Sequence, residues 1–184
     1  DAAARVPNAR STRLGMASGS KMFTAVAILQ LAQAGKLALG DPLSKYLKEF
    51  PRADFAAGVT LHQLLTHTAG AGDYWDDDYE KAWDSIVENR QMLPFVVKHL
   101  GDQPAGEFSY SNSGFILLGL VVEAASGQNY YDYVRDHIFV PAGMSATGYP
   151  KRSEAAKDLA LPYNPEMDAG AVKIGSYLPV GLGA

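Results

Sequence analysis

The run Met22-Phe23-Thr24-Ala25-Val26-Ala27-Ile28-Leu29-Gln30-Leu31-Ala32 constrains this chain more than any other stretch. It has no Gly or Pro before Gly35 and is apolar on nearly every face, so it predicts a helix that needs cover all round rather than on one side. Gly35 is its expected C-terminal stop. Whatever packs around this helix is the core of the domain.

Polar chemistry gathers at its entrance, in Ser18-Gly19-Ser20-Lys21. A serine in the first turn lies among unpaired N–H groups at the positive end of the helix dipole, where developing negative charge is stabilised. Lys21, three residues on, lies on the same face, so its amine can approach the Ser18 hydroxyl. A desolvated ammonium loses its proton more readily and can act as a base, which makes Ser18 and Lys21 a coherent nucleophile and activator. A second polar corner, Tyr110-Ser111-Asn112, stands before another strongly apolar stretch that runs to Ser126-Gly127. There a phenol beside an ammonium can shuttle a proton, and an asparagine can hold a substrate amide or the lysine.

The remaining segments predict short helices. Pro42-Leu43-Ser44-Lys45-Tyr46-Leu47 has Pro in its first turn, and Thr60 caps a helix over Leu61-His62-Gln63-Leu64-Leu65-Thr66-His67 that stops at Gly70 and Gly72. Residues 73–100 read as acidic and helical, interrupted by Pro94, and residues 130–139 as an amphipathic helix closed by Pro141 and Gly143. Arg13-Leu14-Gly15-Met16-Ala17 reads as a short strand feeding the first helix. Asp76-Asp77-Asp78 lacks the glycine and final glutamate of a calcium loop and reads as a solvated helix start.

A formal charge of −4 without a basic cluster argues against a nucleic-acid surface, and no apolar run reaches the length of a membrane span. With no cysteine, thiolate metal sites and disulfides are excluded. His62, His99 and His137 lack the i, i+4 pairing of a zinc site, so no metal or other cofactor is expected. The N-terminus carries no signal-peptide pattern, and localisation stays open.

Taken together, the motifs resemble those of the penicillin-recognising serine hydrolases: class C β-lactamases, D-alanyl-D-alanine carboxypeptidase-like proteins and related family VIII carboxylesterases. The likeness runs in order through Arg13-Leu14-Gly15-Met16-Ala17-Ser18-Gly19-Ser20-Lys21-Met22-Phe23-Thr24-Ala25, Leu31 through Asp41-Pro42, Leu64-Leu65-Thr66-His67-Thr68-Ala69-Gly70, Tyr110-Ser111-Asn112-Ser113-Gly114 and Ile138-Phe139-Val140-Pro141-Ala142-Gly143-Met144, roughly residues 10 to 150. The resemblance implies that Ser18 is acylated by an ester or amide carbonyl of a small molecule or peptide. It implies that Lys21 and Tyr110 activate Ser18 and carry its proton, that Asn112 orients substrate, and that the Ser18 N–H forms half of the oxyanion hole. His67 is expected to be structural, tying down the turn of residues 66–70. Ser20 and Ser111 are candidates for lining the pocket.

The family's third motif, Lys or His followed by a small residue and Gly, belongs well over a hundred residues after the tyrosine motif, whereas only 72 residues follow Asn112. Lys173-Ile174-Gly175 is the textual candidate, with flanks unlike a core strand. The expected fold is therefore mainly α: one partial β-lactamase-like domain over residues 1–184, with a nucleophile helix at about 18–34, a helical region at about 42–145 and an irregular tail at 146–184. Most strands of the α/β family fold are expected to be absent. Large side chains of residues 22–31 would then be exposed, at roughly 1.5–3 kcal/mol of lost burial each, unless missing segments, a homo-oligomer or a complementing chain cover them. A catalytically incomplete helical binding module is the alternative reading.

Overall fold

The computed structural model describes residues 7–82, 85–149 and 160. Helix α1, Lys21–Gln33, is led in by a 3-10 turn, Ala17–Ser20. Three short helices follow: α2, Ala53–Gly58; α3, Leu61–Leu65; and α4, Asp77–Ala82. They precede α5, Leu93–Lys98, the long α6, Asn112–Ser126, and α7, Tyr130–Val134, which continues as a π-helical turn, Arg135–Phe139.

Helix α6 is the hub, because every residue from Ser113 to Val122 is buried. It packs against α1, α3 and α7. Its ends are set by sequence: Ser111 caps the N-terminus by accepting the Gly114 N–H at 3.0 Å, and Gly127 closes the C-terminus in the left-handed conformation, φ +74°. Helix α1 turns Phe23, Ala27, Ile28 and Leu31 inward, and Thr24 and Tyr130 share a buried hydrogen bond of 2.7 Å that ties α1 to α7. Phe23 meets Phe139 edge to face at 4.8 Å between ring centroids.

One stripe of α1 is open. Met22, Val26 and Leu29, spaced to share a face, are 50%, 39% and 51% exposed. The all-round apolar character of this helix is thus satisfied on one side by α6 and α7 and left uncovered on the other. The only sheet-like pairing among the described residues is isolated, between Pro42 and Thr60 and, singly, from Ala160 N–H to Arg13 O.

Several local expectations are met and several are corrected. Thr60 caps α3 through a reciprocal box with Gln63, and Asp76 accepts the N–H groups of Asp78 and Tyr79 at the start of α4, as a helix-start aspartate should. Gly35, φ +69°, follows the end of α1. Of the strand expected over residues 13–17 only an isolated bridge at Arg13 forms; residues 14–16 are irregular and the 3-10 turn that presents Ser18 begins at Ala17. Pro94 does not interrupt a helix but sits in the first turn of α5, where its missing N–H costs nothing. α2 went unread because its six residues carry no period, and α7 loosens into a π turn where a continuous helix is expected. The tail, from residue 150 on, and Lys173-Ile174-Gly175 lie outside the described residues, Ala160 excepted.

The Ser113 hydroxyl is fully buried without a partner among the described residues. Ser113→Ala is expected to raise stability by about 1 kcal/mol, since it removes an unpaired buried hydroxyl, and urea unfolding measures the change.

Candidate active site

The entrances of α1 and α6 meet at one point. Lys21, the first residue of α1, is 6% exposed, and its ammonium donates to Ser18 Oγ at 3.1 Å and to Asn112 Oδ1 at 2.7 Å. The Tyr110 hydroxyl donates to the same Ser18 oxygen at 2.8 Å. All four residues singled out from sequence, 18, 21, 110 and 112, therefore join one hydrogen-bonded cluster. The ammonium also lies 5.1 Å from the Tyr110 ring centroid and 5.7 Å from that of Phe115, so π faces supply part of the solvation that water would otherwise give.

Backbone strain and helix capping aim these groups. Ala17, immediately before Ser18, holds φ +45°, an uncommon conformation for a residue with a side chain. Ser111 is extended as the α6 cap, which sets Tyr110 and Asn112 on either side of the cap. His67, φ +57°, follows the end of α3 and accepts the Ser111 N–H on Nδ1 at 3.1 Å. Its ring stacks on Tyr110, with centroids 4.6 Å apart at 29°, and lies 5.1 Å from Phe115. His67 thus ties the turn of residues 66–70 to the α6 entrance by hydrogen bonds, its carbonyl accepting the Ser109 N–H as well, and its ring is a shelf under Tyr110. Ser111 Oγ is spent on the Gly72 carbonyl and the Gly114 N–H, and Ser20 Oγ on the Ala17 carbonyl, so both serine hydroxyls serve the backbone.

Asp73 is the member that sequence reasoning missed, because it opens an acidic stretch that reads as solvated surface. Its Oδ2 accepts the Asn112 Nδ2–H at 2.9 Å. Gly70 and Gly72 bring it there: both are left-handed, φ +65° and +60°, and press against the 99–105 loop so closely that a Cβ would overlap the carbonyl oxygens of Gln103 and His99.

The electrostatics follow from this packing. Burial and then the Lys21 charge push the His67 imidazole below its ordinary value, so Nδ1 is available as the acceptor that Ser111 requires. Burial alone would raise the Tyr110 phenol, but its hydrogen bonds with Lys21 and Ser18 and the Lys21 charge outweigh that, and the phenol sits below its ordinary 10.0. The other histidines stand apart: His99 bridges Asp76 and Asp102, and the His137 ring lies against Tyr133. Among the described residues no group of three or more His, Asp or Glu is placed to hold a metal, and no described helix is long and apolar enough to cross a membrane. The larger surface concavity, bordered by Tyr46, Phe50, Arg90, Leu120 and Glu123, contains none of the four clustered residues.

The two apolar helices, seamed at their polar entrances, are the helical part of a fold shared with solved penicillin-binding proteins. The chain belongs to the Beta-lactamase family, whose model matches residues 1–180. It is 32% identical over 174 residues to the putative penicillin-binding protein PbpX of Bacillus subtilis, covering 95% of this chain and 41% of that protein. The crystal structure of a penicillin-binding protein from Bacillus halodurans matches with TM-score 0.81 at 40% identity, over 98% of this chain and 57% of that one. An octameric penicillin-binding protein homologue from Pyrococcus abyssi matches with TM-score 0.73 at 32% identity, over 89% of this chain and 39% of that one. The chain thus spans about two fifths of the length of the curated relative PbpX.

Two measurements check this anatomy. Gly72→Ala should destabilise the protein by more than about 1 kcal/mol, read from denaturant midpoints, because both its φ and the His99 carbonyl oppose a Cβ. The His67 contribution to stability should be complete above its ordinary 6.5 and lost as pH falls through and below that value, since the folded state resists protonation there. His99 is raised, chiefly by its hydrogen bond to Asp76, and works in the opposite sense; the difference between the protein and His67→Gln, followed by urea unfolding from pH 8 to 5 (roughly the histidine range), isolates the His67 effect.

Proposed function

We propose that this chain carries the nucleophilic half of a serine hydrolase that cleaves an ester or amide through an acyl-enzyme on Ser18. The observation carrying the reading is the shared oxygen: Ser18 Oγ lies 2.8 Å from the Tyr110 hydroxyl and 3.1 Å from the Lys21 ammonium, with that ammonium itself anchored on Asn112. Membership of the Beta-lactamase family supports it.

In the proposed cycle Tyr110, its phenol acidified by Lys21, first gives its proton to solvent water, and the phenolate then takes the Ser18 proton as the serine oxygen bonds to the substrate carbonyl carbon. The carbonyl π electrons move to oxygen, and the Ser18 backbone N–H supplies one donor to that oxyanion. Collapse breaks the bond to the alcohol or amine, which leaves with the proton held by Tyr110. Water then attacks the acyl-enzyme by the same route, releasing the acid and restoring Ser18. Lys21 remains charged and stabilises the phenolate throughout, while Asn112 fixes the ammonium and presents its amide towards substrate. A small-molecule or peptide substrate suits this chemistry.

A second reading, a helical module completed by another chain, is favoured by the exposed Met22, Val26 and Leu29 stripe, and the octameric state of the Pyrococcus homologue supports an assembly. It predicts an oligomer by light scattering and no turnover of p-nitrophenyl acetate.

The hydrolase reading predicts that Tyr110→Phe lowers kcat/KM for p-nitrophenyl acetate by roughly a hundredfold or more, and that Ser18→Ala abolishes turnover. Stopped assays across pH should show kcat/KM of the protein rising to a plateau with an apparent pKa below 10.0, a limb that Tyr110→Phe lacks. A limb at the same pH in Tyr110→Phe removes the phenol from the base role.

A further inference from the structure

We propose that Asp73 is a positioning residue that fixes the Asn112 amide in the one orientation offering Oδ1 to the Lys21 ammonium. The proposal rests on the hydrolase reading for its kinetic consequence and on the geometry alone for its structural one.

A carboxamide rotated by half a turn has nearly the same shape, so packing cannot choose between its two orientations and hydrogen bonding must. Here both ends are engaged: Oδ1 accepts from Lys21 at 2.7 Å, and Nδ2 donates to Asp73 at 2.9 Å. The rotated amide would set its NH2 against an ammonium and its oxygen against a carboxylate, opposing like to like at both ends. Without Asp73 that second penalty vanishes, and Asn112 holds its orientation only by the bond to Lys21.

The site draws on four stretches of chain. Ser18 and Lys21 come from the entrance of α1, His67 from the end of α3, Asp73 from the glycine-rich loop, and Tyr110 and Asn112 from the entrance of α6. Asp73 is the carboxylate placed one amide away from the buried ammonium. Through that amide it sets where Lys21 sits, without itself touching Ser18 in these contacts.

The test uses the protein at its full natural length, with Asp73→Ala, Asp73→Asn, Asn112→Ala and the double variant Asp73→Ala/Asn112→Ala. With p-nitrophenyl acetate, Asp73→Ala should lose roughly tenfold to a hundredfold in kcat/KM, as a displaced positioning group does. Asp73→Asn, whose Oδ1 still accepts the Asn112 N–H, should restore most of that loss. In the Asn112→Ala background Asp73→Ala should cost nothing further, because its effect passes through that amide. An equal loss in both backgrounds, or no loss at all, overturns the proposal.

A second readout does not depend on turnover. In 15N spectra the Asn112 side-chain protons should exchange slowly in the protein, in Ser18→Ala and in Asp73→Asn, and fast in Asp73→Ala. Equal protection in Asp73→Ala overturns the proposal even if the ester assay fails. Turnover that survives Ser18→Ala sinks the hydrolase reading instead, leaving the exchange measurement to decide on Asp73. Asp73→Asn, close to isosteric, serves if Asp73→Ala does not fold.

Discussion

A buried ammonium at a helix seam is the constraint on which this structure turns. Lys21 is taken out of water at 6% exposure, a transfer that costs several kcal/mol unless donors and acceptors replace the lost hydration. The replacements are Ser18 Oγ from its own chain entrance, Asn112 Oδ1 from the entrance of α6, and the faces of Tyr110 and Phe115. All but the Ser18 contact require α1 and α6 to be packed against one another with their N-termini in register. The pairing of the two most apolar helices and the assembly of the polar cluster are therefore one event: the hydrophobic effect drives the helices together, and the ammonium selects the alignment in which they meet.

That coupling explains what the sequence disclosed and what it did not. Ser18 and Lys21 are legible because one helical turn brings them together whatever the rest of the chain does, and Tyr110 and Asn112 because the Ser111 cap sets them on a corner ahead of an unbroken apolar run. The resemblance to a known family joined the two corners, which local pattern alone could not. Asp73 escaped because its partner lies 39 positions away and its neighbours Asp77 and Asp78 really are exposed, Asp78 paired with Lys98. The structural role expected of His67 is legible, but its left-handed backbone and its stacking on Tyr110 are tertiary facts with no periodic signature. Short elements were misread for the complementary reason. α2 and the π turn after α7 owe their shape to packing rather than propensity, and Pro94 starts a helix because Met92 and Val96 are already committed to the core.

The open face of α1 sets this chain in its family context. Among the described residues this helix, apolar all round, is covered by α6, α7 and the turn that continues α7, while Met22, Val26 and Leu29 remain exposed beside the polar cluster at its entrance. Such a stripe is a demand for a covering surface, and the chain spans 41% of PbpX and 57% of the Bacillus halodurans protein that it matches. The proposed chemistry has the same shape: a nucleophile, its proton carrier and one oxyanion donor come from the described helices, and a second donor is the part that the family resemblance assigns to a strand.

The central claim is that an alcohol, an ammonium and a phenol converge here to make Ser18 unusually nucleophilic. Treating the protein with a fluorophosphonate and locating the adduct by tandem mass spectrometry tests it most directly. The account predicts a single phosphonylated peptide, modified on Ser18, whose formation slows sharply in Lys21→Ala. An adduct on another residue, or labelling of Ser18 at the same rate when Lys21 is removed, would contradict it.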